Sequence, residues 1–365
     1  MMENGLSSAA RKRLATLKPG ERIECDFALD IARHASVHEL GEAALRQRRA
    51  RHGDKAYYVY NQHLNYTNIC KNQCRFCAFF KRKGEEGGYA HSLDTVRGML
   101  EARKDHPIRE IHIVGGLNPD LPYQYYLDLV ALCRQIRPQA VIKAFTAVEI
   151  AHFADTWNRD ERTVLEELRA VGLQVLTGGG AEVFSAAMRA KLCPEKVSGE
   201  RWLAIHGLAH DMGIKTNSTM LFGHIESWED RVEHLDALRT LEDAKPGFVC
   251  FIPLAYQPRN NELRAAGPTG EEYLRMIAVS RLMLDNIPHI KAYWAFAGIK
   301  AAQMALWAGA DDFDGTIVEE KIGHAAGADS PKGMTIGELV DTISASGFVP
   351  VQRDALFDEV STLRA

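Results

Sequence analysis

HLNYTNICKNQCRFCAFF, residues 63–80, runs from a β-type stretch straight into three cysteines packed within eight residues. A strand that delivers a reactive loop at its end matters most if more strands follow, and they do. Short β-type runs alternate with helical ones along the chain: HLNYTNI (63–69), EIHIVGG (110–116), VIKAFTAVE (141–149), LQVLTGG (173–179), IKTNSTMLFG (214–223), GFVCFIPLA (247–255), HIKAYWA (289–295) and DDFDGT (311–316). Such alternation predicts a parallel α/β sheet, and eight strands are what close a (β/α)8 TIM-type barrel. An open doubly wound sheet is the rival. In a barrel, polar residues at the C-terminal ends of the strands face one common site, and the cysteine loop sits at that end.

Helix signals fill the gaps. Ser92 precedes LDTVRGMLEARK, and Ser227 with Asp230, Thr269 with Glu272 and Thr335 with Glu338 have the spacing of N-terminal caps. Gly172 and Gly213 follow helical stretches where a left-handed C′ residue is wanted. Residues 1–60 read as helical, with amphipathic stretches at FALDIARHA and ELGEAALRQRRARHG. The organisation expected is an N-terminal helical extension over 1–60, a barrel core over 61–317 and a C-terminal extension over 318–365.

The 365 residues are 46% hydrophobic and 25% charged, enough apolar material for a large core. A net charge of −4 argues against a general nucleic-acid or anionic-membrane binder. The N-terminus lacks the apolar centre of a signal peptide, and no run approaches the roughly 20 apolar residues that span a bilayer. A soluble, cytoplasmic protein is expected. In a reducing compartment, clustered cysteines point to metal binding or chemistry rather than to disulfides.

A structural zinc site takes four ligands, commonly as two paired knuckles. Here Cys70, Cys74 and Cys77 are three, while Cys25, Cys133, Cys193 and Cys250 stand alone and read as ordinary buried residues. A 4Fe–4S cluster offers four irons to thiolates. Three cysteines on one loop would hold three of them and leave the fourth open. The spacing by itself leaves zinc and chance core cysteines as alternatives.

With Phe76 just before the third cysteine and the paired Gly115-Gly116 closing the second strand, the loop resembles that of the radical S-adenosylmethionine (SAM) superfamily. The likeness extends over NQHLNYTNICKNQCRFCAFFKRKGEEGGY, HIVGGLNPDLPYQYYLDL, VIKAFTAVEIAHFA, GGGAEVF, SGERWLAIHGLAH, TNSTMLFGHIES and SRLMLDNIPHIKAYW. These segments together are similar to the aminodeoxyfutalosine synthase family. KAFTAVEIAHFA and DNIPHIKAYW favour it over the related cyclic dehypoxanthinyl futalosine synthases and 5-deazaflavin precursor synthases. One departure is Thr177 in LTGGGAE, where the resemblance implies proline.

The resemblance implies one 4Fe–4S cluster on Cys70, Cys74 and Cys77, with SAM on the fourth iron and consumed as co-substrate. The 5′-deoxyadenosyl radical would add to the enol ether of 3-[(1-carboxyvinyl)oxy]benzoate, giving 6-amino-6-deoxyfutalosine and methionine for menaquinone biosynthesis. The electron would come from a flavodoxin or a ferredoxin. Such a site must bind two carboxylates and exclude water from a primary radical.

Candidates sit at strand ends. Phe76, Gly115, Gly116, Thr146, Glu182, Asn217 and Ser218 are expected to contact SAM or line its cavity, with Glu182 on the ribose hydroxyls. Bland readings compete: Glu182 as a helix N-terminal charge, and Thr146, Asn217 and Ser218 as buried groups satisfied by the backbone. Glu149, His289, Lys291 and His324 are the candidates for catalytic roles, with Trp294 beside them. Glu149 also reads as a cap. Arg281 is a weaker carboxylate candidate and fits a salt bridge better. His206 and His210 have the i, i+4 spacing of a metal pair but no third ligand in pattern; Glu320 and His324 share the spacing and read as a helix-face contact, with His324 near enough to the eighth strand to reach the substrate. KRKGEEGGY (81–89) reads as a solvated loop beside the cluster, or as a cover or donor-docking loop.

Overall fold

The computed structural model describes residues 5–318 and 321–360. Three helices come first: α1 (Ser8–Thr16), α2 (Cys25–His34) and α3 (Val37–His52). Ser36 and Glu39 cap α3 reciprocally, so its first backbone N–H groups are satisfied before the helix packs. α2 and α3 lie against the helix Gly270–Met283.

Ten strands follow: β1 (Lys55–Val59), β2 (Asn61–Leu64), β3 (Glu110–Ile113), β4 (Val141–Thr146), β5 (Val175–Thr177), β6 (Lys215–Phe222), β7 (Phe248–Ala255), β8 (His289–Ile290), β9 (Asp312–Gly315) and β10 (Val349–Arg353). Every ladder is parallel. β2 to β8 form one seven-stranded sheet in chain order, and β10, β1 and β9 form a second. The seven strands curl into a half-barrel of the TIM type, the α/β class expected. All eight strand candidates are present. The eighth, β9, ladders on β1 and meets the larger sheet through single bridges: Lys291 with Asp312, and Gln62 with Val318 just beyond β9.

Two readings change. Lys55–Val59, within the stretch read as helical, is strand β1. The seventh strand candidate ends at Ile290, and Trp294 opens a short helix, Trp294–Ala297. Its indole N–H donates to Gly315 O at 3.0 Å, so it braces β9 rather than reaching the cavity.

The capping signals are realised. Ser92 and Thr269 accept from the N–H three residues on, and Ser227 with Asp230 and Thr335 with Glu338 form reciprocal boxes. Gly172 and Gly213 stand just past helix ends at φ +122° and +73°, where a Cβ is strained.

The strands are buried on both faces, as parallel strands covered by helices must be. The N-terminal end of the barrel is covered by the chain's last described residues. Ala355 packs on Val141 and Val175, and Phe357 packs on Val249, Cys250 and Ile252 and stacks on His289 at 3.9 Å. The C-terminal ends of the strands open onto a cavity of about 310 Å³.

Candidate active site

The cysteine loop lies across this cavity's mouth, and Cys70, Cys74 and Cys77 all line it. Backbone hydrogen bonds pin the loop from several sides. Cys70 N–H donates to Lys81 O, Lys71 N–H to Leu117 O, Arg75 N–H to Leu192 O and Cys77 N–H to Cys74 O, all at 2.9–3.0 Å. Leu117 N–H points at Cys70 Sγ, 3.3 Å away. Burial pushes the Cys74 thiol up to about 12 and raises that of Cys77. Left alone these thiols stay protonated, and a cationic centre is what would ionise them. Cys193 is buried behind Cys74, close enough to act on its charge, but it does not line the cavity.

The glycines at the tip of β3 line the cavity too, and their lack of a side chain has a reason inside the chain. A Cβ on Gly115 would stand 2.6 Å from the Tyr66 ring, and one on Gly116 2.3 Å from Ile69 O. Gly116 therefore lets β3 lie directly under the residue that precedes Cys70.

Glu149 is the N3 residue of the helix Ala147–Thr156, boxed with Thr146 at its N-cap. It is buried and accepts from Tyr66 OH (2.7 Å), Gly115 N–H (3.2 Å), Thr146 N–H (2.7 Å) and Thr146 OH (2.9 Å). Burial still raises its pKa to about 7, the donors only partly offsetting the loss of water. It is thus both the cap and a cavity-lining carboxyl, the two readings at once. Thr177 also lines the cavity, and its hydroxyl donates to Phe145 O at 2.9 Å. Phe145 has φ +62° at the register shift between β4 and β5, so Thr177 satisfies a carbonyl that this irregular backbone leaves out of the ladder.

Glu182, also at positive φ, pairs with Lys196 at 2.6 Å. Burial works against the Lys196 ammonium, yet Cys74 and Glu182 hold its pKa well above the ordinary lysine value. The same ammonium lies 5.1 Å from the Phe76 ring centroid, linking the cysteine loop to the fifth-strand loop. Lys196 has no local motif and was not singled out from the sequence.

Deeper down, the wall turns ionic. His63, His112 and Lys143 stand in register on β2, β3 and β4, with the two imidazoles stacked at 4.6 Å. Lys143 pairs with Glu110 at 2.5 Å. Lys291 pairs with Asp314 at 2.7 Å, and Arg353 grips Asp312 at 2.5 and 2.9 Å. Burial, with Lys143 alongside, lowers the His112 pKa to about 4, so this ring is neutral near pH 7.

Of the sequence candidates, the structure brings Cys70, Cys74, Cys77, Phe76, Gly115, Gly116, Thr146, Glu149, Glu182, Asn217 and Lys291 onto one cavity. It places three elsewhere. Ser218 points to the opposite face of β6 and donates to Cys250 O at 3.2 Å. His289 lies at the covered end of the barrel, 2.6 Å from Asp311 and against Phe357. His324 does not line the cavity; its Nε2 lies 3.1 Å from Ser330 O, although its helix neighbours Ile322 and Ala326 do line it. Glu320 is outside the described residues. Arg281 is a buried partner of Asp311, as its helix position suggests. His206 stacks on Trp202 and His210 bonds Thr216 and Lys245 O, so this pair is core. The 81–89 loop is tied down by Lys81–Glu85, Lys83–Asp120 and Arg82–Gln73 contacts.

Comparison with known proteins decides the family. Residues 64–238 match the radical SAM superfamily model, and residues 245–363 match the CofH/MqnC C-terminal region. The chain is 44% identical to the aminodeoxyfutalosine synthase of Thermus thermophilus, over 93% of each chain. It is 37% identical to that of Streptomyces coelicolor, covering 98% of this chain and 95% of the relative. The chain belongs to the aminodeoxyfutalosine synthase family of the radical SAM superfamily. The cyclic dehypoxanthine futalosine synthase of Streptomyces coelicolor is 36% identical over 93% of this chain and 86% of its own.

The fold agrees with this family. Methylornithine synthase superposes with a TM-score of 0.72 at 18% identity, covering 93% of this chain and 97% of its own. The FeFe-hydrogenase maturase of Carboxydothermus hydrogenoformans gives 0.76 at 15%, covering 96% and 80%.

The cysteines also suit the superfamily's iron–sulfur cluster better than one ion. A single zinc holds its ligand atoms roughly 4 Å apart, given Zn–S bonds near 2.3 Å. Among the described residues, His52, His289 and Asp311 are the one set of three such groups within 4.8 Å of each other. The three thiols are spread more widely, as several irons require. The His52 set is already engaged: Asp311 takes Arg281, His289 and the Ile290 N–H.

Proposed function

We propose that this chain catalyses the aminodeoxyfutalosine synthase reaction. The adenosyl group of SAM adds through its 5′-carbon to the enol ether of 3-[(1-carboxyvinyl)oxy]benzoate. The adduct radical attacks the benzoate ring, the aryl–oxygen bond breaks as the aryl–carbon bond forms, and the neighbouring carboxylate leaves as CO2 or bicarbonate, giving back the one electron that SAM cleavage took. The observation that carries this reading is the single cavity: three thiols at its mouth and buried ammonium groups at its base. When bound on Cys70, Cys74 and Cys77, a 4Fe–4S cluster supplies the electron that splits SAM into methionine and the 5′-deoxyadenosyl radical. A flavodoxin or ferredoxin is the expected source of that electron. No helix among the described residues is long and apolar enough to cross a membrane, consistent with a cytoplasmic enzyme.

In this reading the chain's own residues bind and exclude. Gly115, Gly116, Thr146 and Glu182 frame the space beside the thiols for SAM, with Glu182 a diol acceptor held in place by Lys196. Glu149 fixes the β3 tip by accepting from Gly115 N–H. Phe76, Leu254 and Phe296 give the cavity apolar walls that keep water and stray hydrogen donors from a primary radical. Positioning is most of the catalysis such a site can offer.

The test is anaerobic. The reconstituted protein is given dithionite, SAM and 3-[(1-carboxyvinyl)oxy]benzoate, and products are read by liquid chromatography–mass spectrometry. Aminodeoxyfutalosine with methionine is expected. 5′-Deoxyadenosine without the adduct would move the substrate to a related radical SAM reaction. Intact SAM would overturn the assignment.

A further inference from the structure

The base of the cavity holds more charge than the barrel needs for stability. Three cations, Lys143, Lys291 and Arg353, face three anions, Glu110, Asp312 and Asp314, and all six are at most 3% exposed. Buried ion pairs stabilise a fold no better, on average, than apolar residues of the same volume. None of the six merely pairs off: Glu110 and Asp312 share Arg353, while Lys143, Lys291 and Asp314 also line the cavity. Each of the two lysine ammonium groups gives one short hydrogen bond to a carboxylate, Lys143 to Glu110 and Lys291 to Asp314, with Asp312 a further 3.7 Å ion-pair contact of Lys291. An ammonium has three N–H donors, so both have donors left over. Asn217, 3% exposed, lines the same space with an amide oxygen that has no hydrogen-bond partner. An amide so little tethered can turn its NH2 toward an incoming acceptor.

Depth gives this base a direction. The thiols lie beyond the C-terminal ends of the strands, whereas Lys143 is the third residue of β4 and Lys291 directly follows β8. A ligand that reaches both must carry its reacting carbon at one end and an anion at the other. On the reaction proposed above, on which this inference rests, the alkene belongs at the thiol end, and the ring carboxylate is the group pointing away. We infer that Lys143 and Lys291, with Asn217, form the seat for the aryl carboxylate of the substrate. They are specificity-determining residues, and the seat fixes the depth of the ring so that the alkene stands under the mouth.

The experiment compares 3-[(1-carboxyvinyl)oxy]benzoate with its aryl methyl ester, which keeps the enol-ether acid and loses only the charge at the seat. Equilibrium binding to the cluster-loaded enzyme with SAM and no reductant is followed by titration calorimetry. The diacid should bind wild type at least tenfold tighter than the ester. The paired replacement Glu110→Gln with Lys143→Met removes one ion pair without stranding either charge. It should lose at least tenfold for the diacid and under twofold for the ester. Lys291→Met should do the same if it folds. Equal affinity of wild type for acid and ester overturns the seat while leaving the reaction standing. So does an unchanged acid-to-ester ratio in the folded double variant. If wild type binds neither compound, the reaction assignment fails, and the seat with it.

Discussion

Gly116→Ala puts the cysteine loop under direct mechanical load. The new Cβ would lie 2.3 Å from Ile69 O, 2.8 Å from Ile69 C and 3.0 Å from Cys70 Cβ. Ordinary carbon–oxygen contact needs roughly 3.2–3.5 Å, so the two backbones must part by about 1 Å. Neither side is a flexible tip that can swing away. Ile69 is held by its bridge to Lys81, and Gly116 N–H donates to Thr67 O at 2.9 Å. Overpacking of this kind costs about 1–3 kcal/mol. For a chain of this length, 2 kcal/mol is a fall in Tm of only about 2–3 °C. The larger effect is on the thiol: a shift of about 1 Å at Cys70 is enough to spoil ligand geometry. Iron and sulfide bound per chain after anaerobic reconstitution, alongside a thermal melt of the untreated protein, separates the two effects. We expect iron content to drop to under half with a modest loss of Tm. Gly115→Ala, which meets the Tyr66 side chain instead, should cost stability while retaining more iron. Full iron incorporation and an unchanged Tm in Gly116→Ala would show that the loop is not set by this contact.

Further tests probe other parts of the molecule. Cys74→Ala should abolish iron binding in a folded protein, whereas Cys193→Ala should retain it; equal loss in both would mean that Cys193 belongs to the ligand set. Thr177→Val leaves Phe145 O without its donor and should cost about 1–3 kcal/mol in denaturant unfolding. Arg353→Leu takes both short hydrogen bonds from the buried Asp312, leaving it Lys291 at 3.7 Å as counter-ion, while Glu110 keeps Lys143; it should cost about 3–5 kcal/mol, measured the same way. Stability should also fall on acidification below about pH 6.5. Burial holds His52, His112, His152 and His210 down to about 4 and His234 to about 3, so between those values and their ordinary one the unfolded chain binds protons that the folded chain does not. Each can contribute up to about 1.4 kcal/mol per pH unit in that window. Glu149, raised to about 7, works in the opposite sense, as do Glu242 and Asp354, whose pKa values burial raises, while His91 and His206, lowered by burial, add to the histidine side. A Tm flat between pH 7 and 5 would refute this.

What the sequence disclosed follows from which interactions are local. Cys70, Cys74 and Cys77 are legible because one loop carries all three, and the strand tips at Gly115 and Glu149 because turn and capping chemistry is local. The floor is not legible. His63, His112 and Lys143 sit on strands buried on both faces, so apolar alternation does not say which residues face the axis. Alternation does carry one signal that separates neighbours: Asn217 and Ser218 cannot both face the cavity, and only Asn217 does. His289 and Lys291 share a face, but two residues are roughly 6.6 Å along a strand, enough to place one at the covered end and the other at the cavity. Lys196 reaches Glu182 across 14 residues of helix and turn with no motif to announce it. β1 and β10 pair across nearly the whole chain, and no local pattern encodes that partner.

That last pairing bears on how the molecule is made. Lys55 is among the first strand residues to leave the ribosome, and its partner Val349 is among the last. The apolar plug of Ala355 and Phe357 emerges later still. Until β10 has emerged, the barrel's lower rim is open and Asp312 lacks the Arg353 that gives it two short hydrogen bonds. A chain without this segment therefore exposes an open sheet edge beside a weakly paired buried carboxylate, and such an edge is a hallmark of an aggregation-prone intermediate. Loops closed over such distances also form slowly. β10 with Ala355 and Phe357 thus acts as a late-arriving closure, and the floor is buried only once this segment is in place.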